Sequence, residues 1–225
     1  MAQPANILNQ NISIKRLQEM RNFGGEILTH GLKEEILKKF ISHDQNLRSA
    51  IESAYEHFVV LQKEKPEFLL LSEKEQIKLA QQNIVNFYAN ENVNPYVAIS
   101  AMGPWIVTLK GAVIYDCGGY GMLGLGHSPK LALNEIKKPH VMANVMTPSL
   151  SQMEFIDILK KEIGHSRTNK STFTEFCCLN SGSESVSIGA RLADVNAKEI
   201  TAKGAKHSGK SIARLTLSGS FHGRT

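Results

Sequence analysis

The chain has 225 residues, 42% of them hydrophobic and 21% charged, a composition suited to a globular protein with a sizeable core. Lys and Arg number 26 against 21 Asp and Glu, and the resulting net charge of +5 is too mild to mark a nucleic-acid binder. No stretch approaches the ~18 apolar residues of a bilayer span. The opening MAQPANILNQN has neither the basic nor the apolar region of a secretion signal, so no membrane association and a cytoplasmic location are expected.

Residues 1–94 read as a helical N-terminal extension. Leu47, Ile51, Ala54, Tyr55 and Phe58 recur at helical spacing. Beyond the break at Pro66, Ser72 and Glu75 have the spacing of a capping box. That box predicts a helix with Ile77, Ala80, Ile84 and Phe87 on its inner face. His43 and His57 stand alone and read as surface or core-edge histidines. The segment is expected to be scaffold, an extension able to pack on a partner subunit.

Residues 95–148 change character. Two β-type runs, 105–109 and 112–115, flank Lys110-Gly111 and predict a hairpin. DCGGYGMLGLGHSP follows at 116–129, with five glycines in fourteen residues. Such density means close backbone approach or positive φ, and it suits either a ligand-side loop or a tight structural crossing.

Residues 149–225 predict the start of an α/β domain. An amphipathic helix over 149–164 places Met153, Ile156, Leu159, Lys160 and Ile163 on one side and stops at Gly164. Strand 173–179, a turn, a helix over about 183–198, a basic loop and strand 211–217 then make a βαβ unit with parallel pairing. Cys117, Cys177 and Cys178 show no metal spacing and are expected to be buried, inert thiols.

GAKHSGKS, 204–211, fits a nucleotide-binding P-loop by letter. A P-loop follows a strand and opens a helix, because phosphate sits on amides at a helix N-terminus. This match follows a helix and leads into a strand, so the P-loop reading fails. Lys198, Lys203, Lys206 and Lys210 around it have no aromatic neighbours for base stacking, and the stretch reads as a solvated connection.

The required context exists earlier. Apolar residues 176–179 run into Asn180-Ser181-Gly182-Ser183 and then into a helix that is apolar on two sides. Gly182 permits close approach of an anion, and the amides of Gly182 and Ser183 stand at the helix start. Ser181 and Ser183 add hydroxyls. The dipole there is equivalent to roughly +0.5 charge, which favours phosphate. A helix cap without ligand is the alternative.

NSGSESVSIGARLA, GGYGMLGLGHSP and the terminal SFHGRT together resemble the class III (ornithine-type, ω-amino) pyridoxal-phosphate aminotransferases, over about residues 95–225. The resemblance implies the N-terminal part of a fold type I, aspartate-aminotransferase-like α/β protein that acts as a homodimer. It implies pyridoxal 5'-phosphate as cofactor, with an amino donor and a 2-oxo acid as substrates. Gly182 and Ser183 would hold the cofactor phosphate, Phe221 would stack on the pyridine ring, and His222 would sit beside it. Arg224 would take a substrate carboxylate, and Tyr120 would contact substrate. In this family the Schiff-base lysine lies downstream of FHGRT, whereas the sequence stops at Thr225, so no catalytic lysine is assigned within it. The same residues suit an aminomutase or a decarboxylase, and a non-catalytic remnant or interaction module is the reading from another class.

Overall fold

The structure is a computed structural model that describes residues 4–85, 89, 92–117, 124–144, 146–164 and 173–223. The chain forms two compact units, Met1–His140 and Val141–Thr225.

The first unit opens with α1 (Pro4–Asn22), α2 (Glu34–His43) and α3 (Gln45–Glu64), followed by the short α4 (Pro66–Leu70) and α5 (Glu73–Ala80). Strands β1 (Ala98–Met102), β2 (Trp105–Thr108) and β3 (Val113–Tyr115) and helix α6 (Lys130–Ile136) complete it. On α3 the buried residues are Leu47, Ala50, Ile51, Ala54 and Phe58, the apolar stripe that the sequence spacing predicts. Ile14, Leu17 and Met20 of α1 and Leu37 and Ile41 of α2 close onto the same cluster. From the sheet, Trp105, Val107 and Val113 join it, and α3 lies against β1 and β2.

Asp44 ties helix to sheet. One carboxylate oxygen, Oδ1, accepts from Asn46 N at 2.8 Å and caps α3. The other, Oδ2, accepts from Trp105 Nε1 at 2.7 Å, which satisfies the buried indole.

The three strands form an antiparallel sheet in the order β1-β2-β3. The β2–β3 hairpin is the one predicted. Gly111 N donates to Thr108 O at 2.9 Å, and Gly111 takes φ +70°, where a side chain would also meet Leu17 O. β2 is buried along its whole length because it is the central strand.

The capping box at Ser72 is present, with Glu75 N donating to Ser72 Oγ at 3.3 Å and Ser72 N to Glu75 Oε2 at 3.0 Å. The expected inner face of α5 is corrected. Glu73 and Gln76 are buried there, Ile77 is half-buried, and Ala80 and Ile84 are exposed. Phe87 lies outside the described residues. The face is set by hydrogen bonds: Glu73 Oε2 accepts from Leu28 N and Thr29 N at 2.8 and 2.7 Å, and Gln76 Nε2 donates to Phe68 O at 2.9 Å.

The second unit contains α7 (Leu150–Gly164) and α8 (Gly182–Thr201), close to the predicted helices. Segments 173–179 and 211–217 carry no ladder among the described residues, so the predicted parallel βαβ pairing is absent and the observed sheet is antiparallel. The protein is thus a mixed helix and sheet structure. Cys117, Cys177 and Cys178 are exposed, against the expectation of burial. For Cys177 and Cys178 the cause is the same: an extended segment without paired neighbours has nothing to cover either of its faces.

Candidate functional site

The N-terminus of α8 is built by its own sequence. Ser181 is the N-cap, and its Oγ accepts from Glu184 N at 3.2 Å. Glu184 answers by accepting from Ser181 N at 3.0 Å, which completes a second capping box. Ser185 Oγ donates to Ser181 O at 3.1 Å and tightens the turn. The amides of Ser181 and Glu184 are therefore taken up within the cap. Gly182 faces open space, since a Cβ placed on it would meet nothing within 4 Å.

Beyond α8 the chain returns along the helix. Arg214 Nη2 donates to Ala190 O at 3.3 Å and pairs with Asp194. A turn closed by Ser220 N donating to Leu217 O at 3.2 Å, with Gly219 at φ +78°, then directs Phe221, His222 and Gly223 to the helix start. Gly223 lies directly against Ser183. A Cβ on Gly223 would stand 2.5 Å from Ser183 Oγ and 2.6 Å from Ser183 Cα, and its φ is +86°. Only glycine fits that approach. Sequence reading gave Gly223 no role, although a glycine directly after Phe221-His222 is the signal that could have found it.

Gly182, Ser183 and the segment of Phe221 and His222 thus converge at one helix end. Phe221 is 75% exposed and His222 is exposed, so both rings are available to a ligand. Tyr120 and Arg224 lie outside the described residues.

GAKHSGKS has a different task. His207 N donates to Ile200 O at 2.9 Å and Gly209 N to Thr201 O at 3.4 Å, so its amides close the C-terminal end of α8. That end carries the negative pole of the helix and repels phosphate. The P-loop reading therefore fails on geometry as it does on sequence.

In the first unit, both ends of the glycine-rich stretch are pinned beside the β1–β2 turn. His127 N donates to Gly103 O at 2.7 Å, Gly103 N to His127 O at 2.9 Å, and Asp116 N to Pro104 O at 2.7 Å. Asp116 Oδ2 and His127 Nε2 lie 3.0 Å apart, with each side chain about three-quarters covered. Gly103, Pro104, Tyr115, Asp116, Cys117, Leu125 and Gly126 line an open concavity there. Burial, and secondarily the charge of Asp116, raise the Tyr96 hydroxyl pKa above the usual tyrosine value. Both His43 and His57 are exposed, as expected.

Among the described residues there is no group of three His, Cys, Asp or Glu able to hold a metal ion. No helix among them is long and apolar enough to cross a membrane. No family model, curated protein or solved structure matches the chain.

Proposed function

We propose that this chain carries the cofactor-gripping part of a class III-type, pyridoxal-phosphate-dependent aminotransferase of fold type I. The reaction moves an amino group from an amino donor to a 2-oxo acid. The observation behind the reading is the seating of Gly223 on Ser183, which brings Phe221 and His222 to the helix end that carries Gly182. Two of the three motifs that resemble this family thereby meet in space.

The residues suit the cofactor. An open glycine at a positive helix pole accepts a phosphate group, and an exposed aromatic ring beside it accepts a flat heterocycle. In this reading the amides of Gly182 and Ser183 hold the phosphate, Phe221 stacks on the pyridine ring, and His222 flanks it. Arg224 takes the substrate carboxylate through its guanidinium fork, and Tyr120 is a further substrate contact. The cofactor, when bound, supplies the electron sink that amino transfer requires. The protein acts as a cytoplasmic homodimer.

The test separates grip from turnover. The 225-residue chain is titrated with pyridoxamine 5'-phosphate and with pyridoxamine under identical salt, and binding is followed by equilibrium dialysis. The phosphorylated compound is expected to bind, and the unphosphorylated one to bind far more weakly. Phe221→Ala, a change at an exposed position, is expected to weaken binding about fivefold, the equivalent of ~1 kcal/mol of stacking. Equal affinity for both compounds, or binding of neither, rules the reading out.

A further inference from the structure

A buried polar cluster in the first unit contains no residue that the aminotransferase reading uses. Lys110, at the tip of the β2–β3 hairpin, is 2% exposed. Its Nζ donates to Gly24 O at 2.5 Å, Leu69 O at 2.8 Å and Leu71 O at 2.7 Å. All three of its protons are thereby committed. Glu73 and Gln76 are 1% and 0% exposed, and they stand three apart on α5, hence on one face. Glu73 Oε2 takes two amide protons and Gln76 Nε2 reaches Phe68 O, yet Glu73 Oε1 and Gln76 Oε1 are both buried without a partner among the described residues. A buried acceptor left unmade costs about 1–3 kcal/mol, and here two occur on adjacent side chains.

We infer that a single structural water is bound at this place, donating one hydrogen to Glu73 Oε1 and the other to Gln76 Oε1. Three kinds of occupant could satisfy acceptors: a proton shared between them, a cation, or a neutral donor. A shared proton requires Glu73 to be a neutral acid. That arrangement places the two Oε1 atoms in direct contact, whereas a water stands between them. A metal ion would place a second positive charge in a buried cluster that already holds the Lys110 ammonium. Water needs neither, and it brings two donors to a site that has two acceptors and no spare donor. Bound there, it links α5 to the carbonyl cage of Lys110 through Leu69 O, which also faces Gln76 Nε2 at 3.5 Å.

A crystal structure of the full chain, with an infrared spectrum of the same protein, tests this. The expected result is one isolated density peak at roughly 2.7–3.1 Å from both Oε1 atoms, with no protonated-carboxyl band that Glu73→Gln removes. In Glu73→Gln the new amide donates to the water, which still donates to Gln76 Oε1, so the peak and the Lys110 contacts both stay. Direct contact of the two oxygens, with a carboxylic-acid band assigned to Glu73, overturns the inference in favour of a proton. A peak with the shorter oxygen distances of a metal ion, or the absence of any peak, overturns it too.

Discussion

At Lys110 an ammonium sits among backbone carbonyls, and its physics is that of a charge removed from water. Burial lowers its pKa below the ordinary lysine value, and the nearby Glu73 offsets part of that shift. The folded chain therefore releases this proton at a lower pH than the unfolded chain does. Between those two pKa values the unfolded state binds more protons, so this residue's contribution to stability rises with pH. Below the folded pKa the penalty of holding the buried charge is present in full, and it is relieved as pH climbs through that value towards 10.5. Urea unfolding of the native chain and of Lys110→Met at pH 7 and near pH 10 measures this. Other titrations cancel in the difference, and the native chain is expected to gain relative to the variant at the higher pH. A difference that shrinks or stays constant rejects the assignment. Lys110 is also a poor candidate for covalent chemistry, since three carbonyls and full burial leave its nitrogen neither free nor reachable.

The cap of α3 is also its anchor to the sheet, because Asp44 serves the helix with one oxygen and Trp105 with the other. Asp44→Ala removes the cap, worth about 1 kcal/mol, and leaves the indole N–H of a 1% exposed tryptophan unpaired, about 1–3 kcal/mol more. Asp44→Asn keeps an oxygen for the cap and is expected to lose distinctly less. Chemical denaturation of the two variants ranks them, and equal losses would refute the double role. The same residue shows what sequence makes legible. The α3 stripe, the Ser72 box, the hairpin at Gly111 and the span of α8 are local patterns, and local patterns can be read. Glu73 and Gln76 cannot be, because their burial depends on backbone amides at Leu28 and Thr29 and a carbonyl at Phe68, partners that no periodicity announces. β1 is hidden for a related reason. Its sequence, AISAM, has little β-branched content and becomes a strand only through its pairing with β2. Segments 173–179 and 211–217 show the converse, strand composition without a neighbour to pair with. At the candidate site the helix start was legible from Ser181-Gly182-Ser183. The seating of Gly223 was not, since it depends on a return path through the Arg214 contacts and the turn at Gly219.

The two units differ in what holds them. All of the buried hydrophobic residues belong to Met1–His140, and no described residue of Val141–Thr225 is buried. The second unit instead exposes Leu192, Val195, Leu215 and Phe221, and its helices are sustained by caps and local pairs such as Arg214 with Asp194. Local opening free energy follows buried apolar contact, so amide hydrogen exchange should divide along the chain. Protection is expected to be high for α3 and β2 and low for α7 and α8. A ligand that binds only the folded form stabilises it by RT ln(1 + [L]/Kd), about 2.7 kcal/mol at a hundredfold excess over Kd. Pyridoxamine 5'-phosphate held at the start of α8 should therefore slow exchange in that helix by up to about a hundredfold and leave α3 unchanged. Inorganic phosphate at the same concentration should do less, because it lacks the ring that Phe221 would grip. Equal protection by both ligands would reduce the site to a simple anion pole. Protection of α3 in place of α8 would move the ligand to the first unit, where the concavity beside Asp116 and His127 is the alternative place to look.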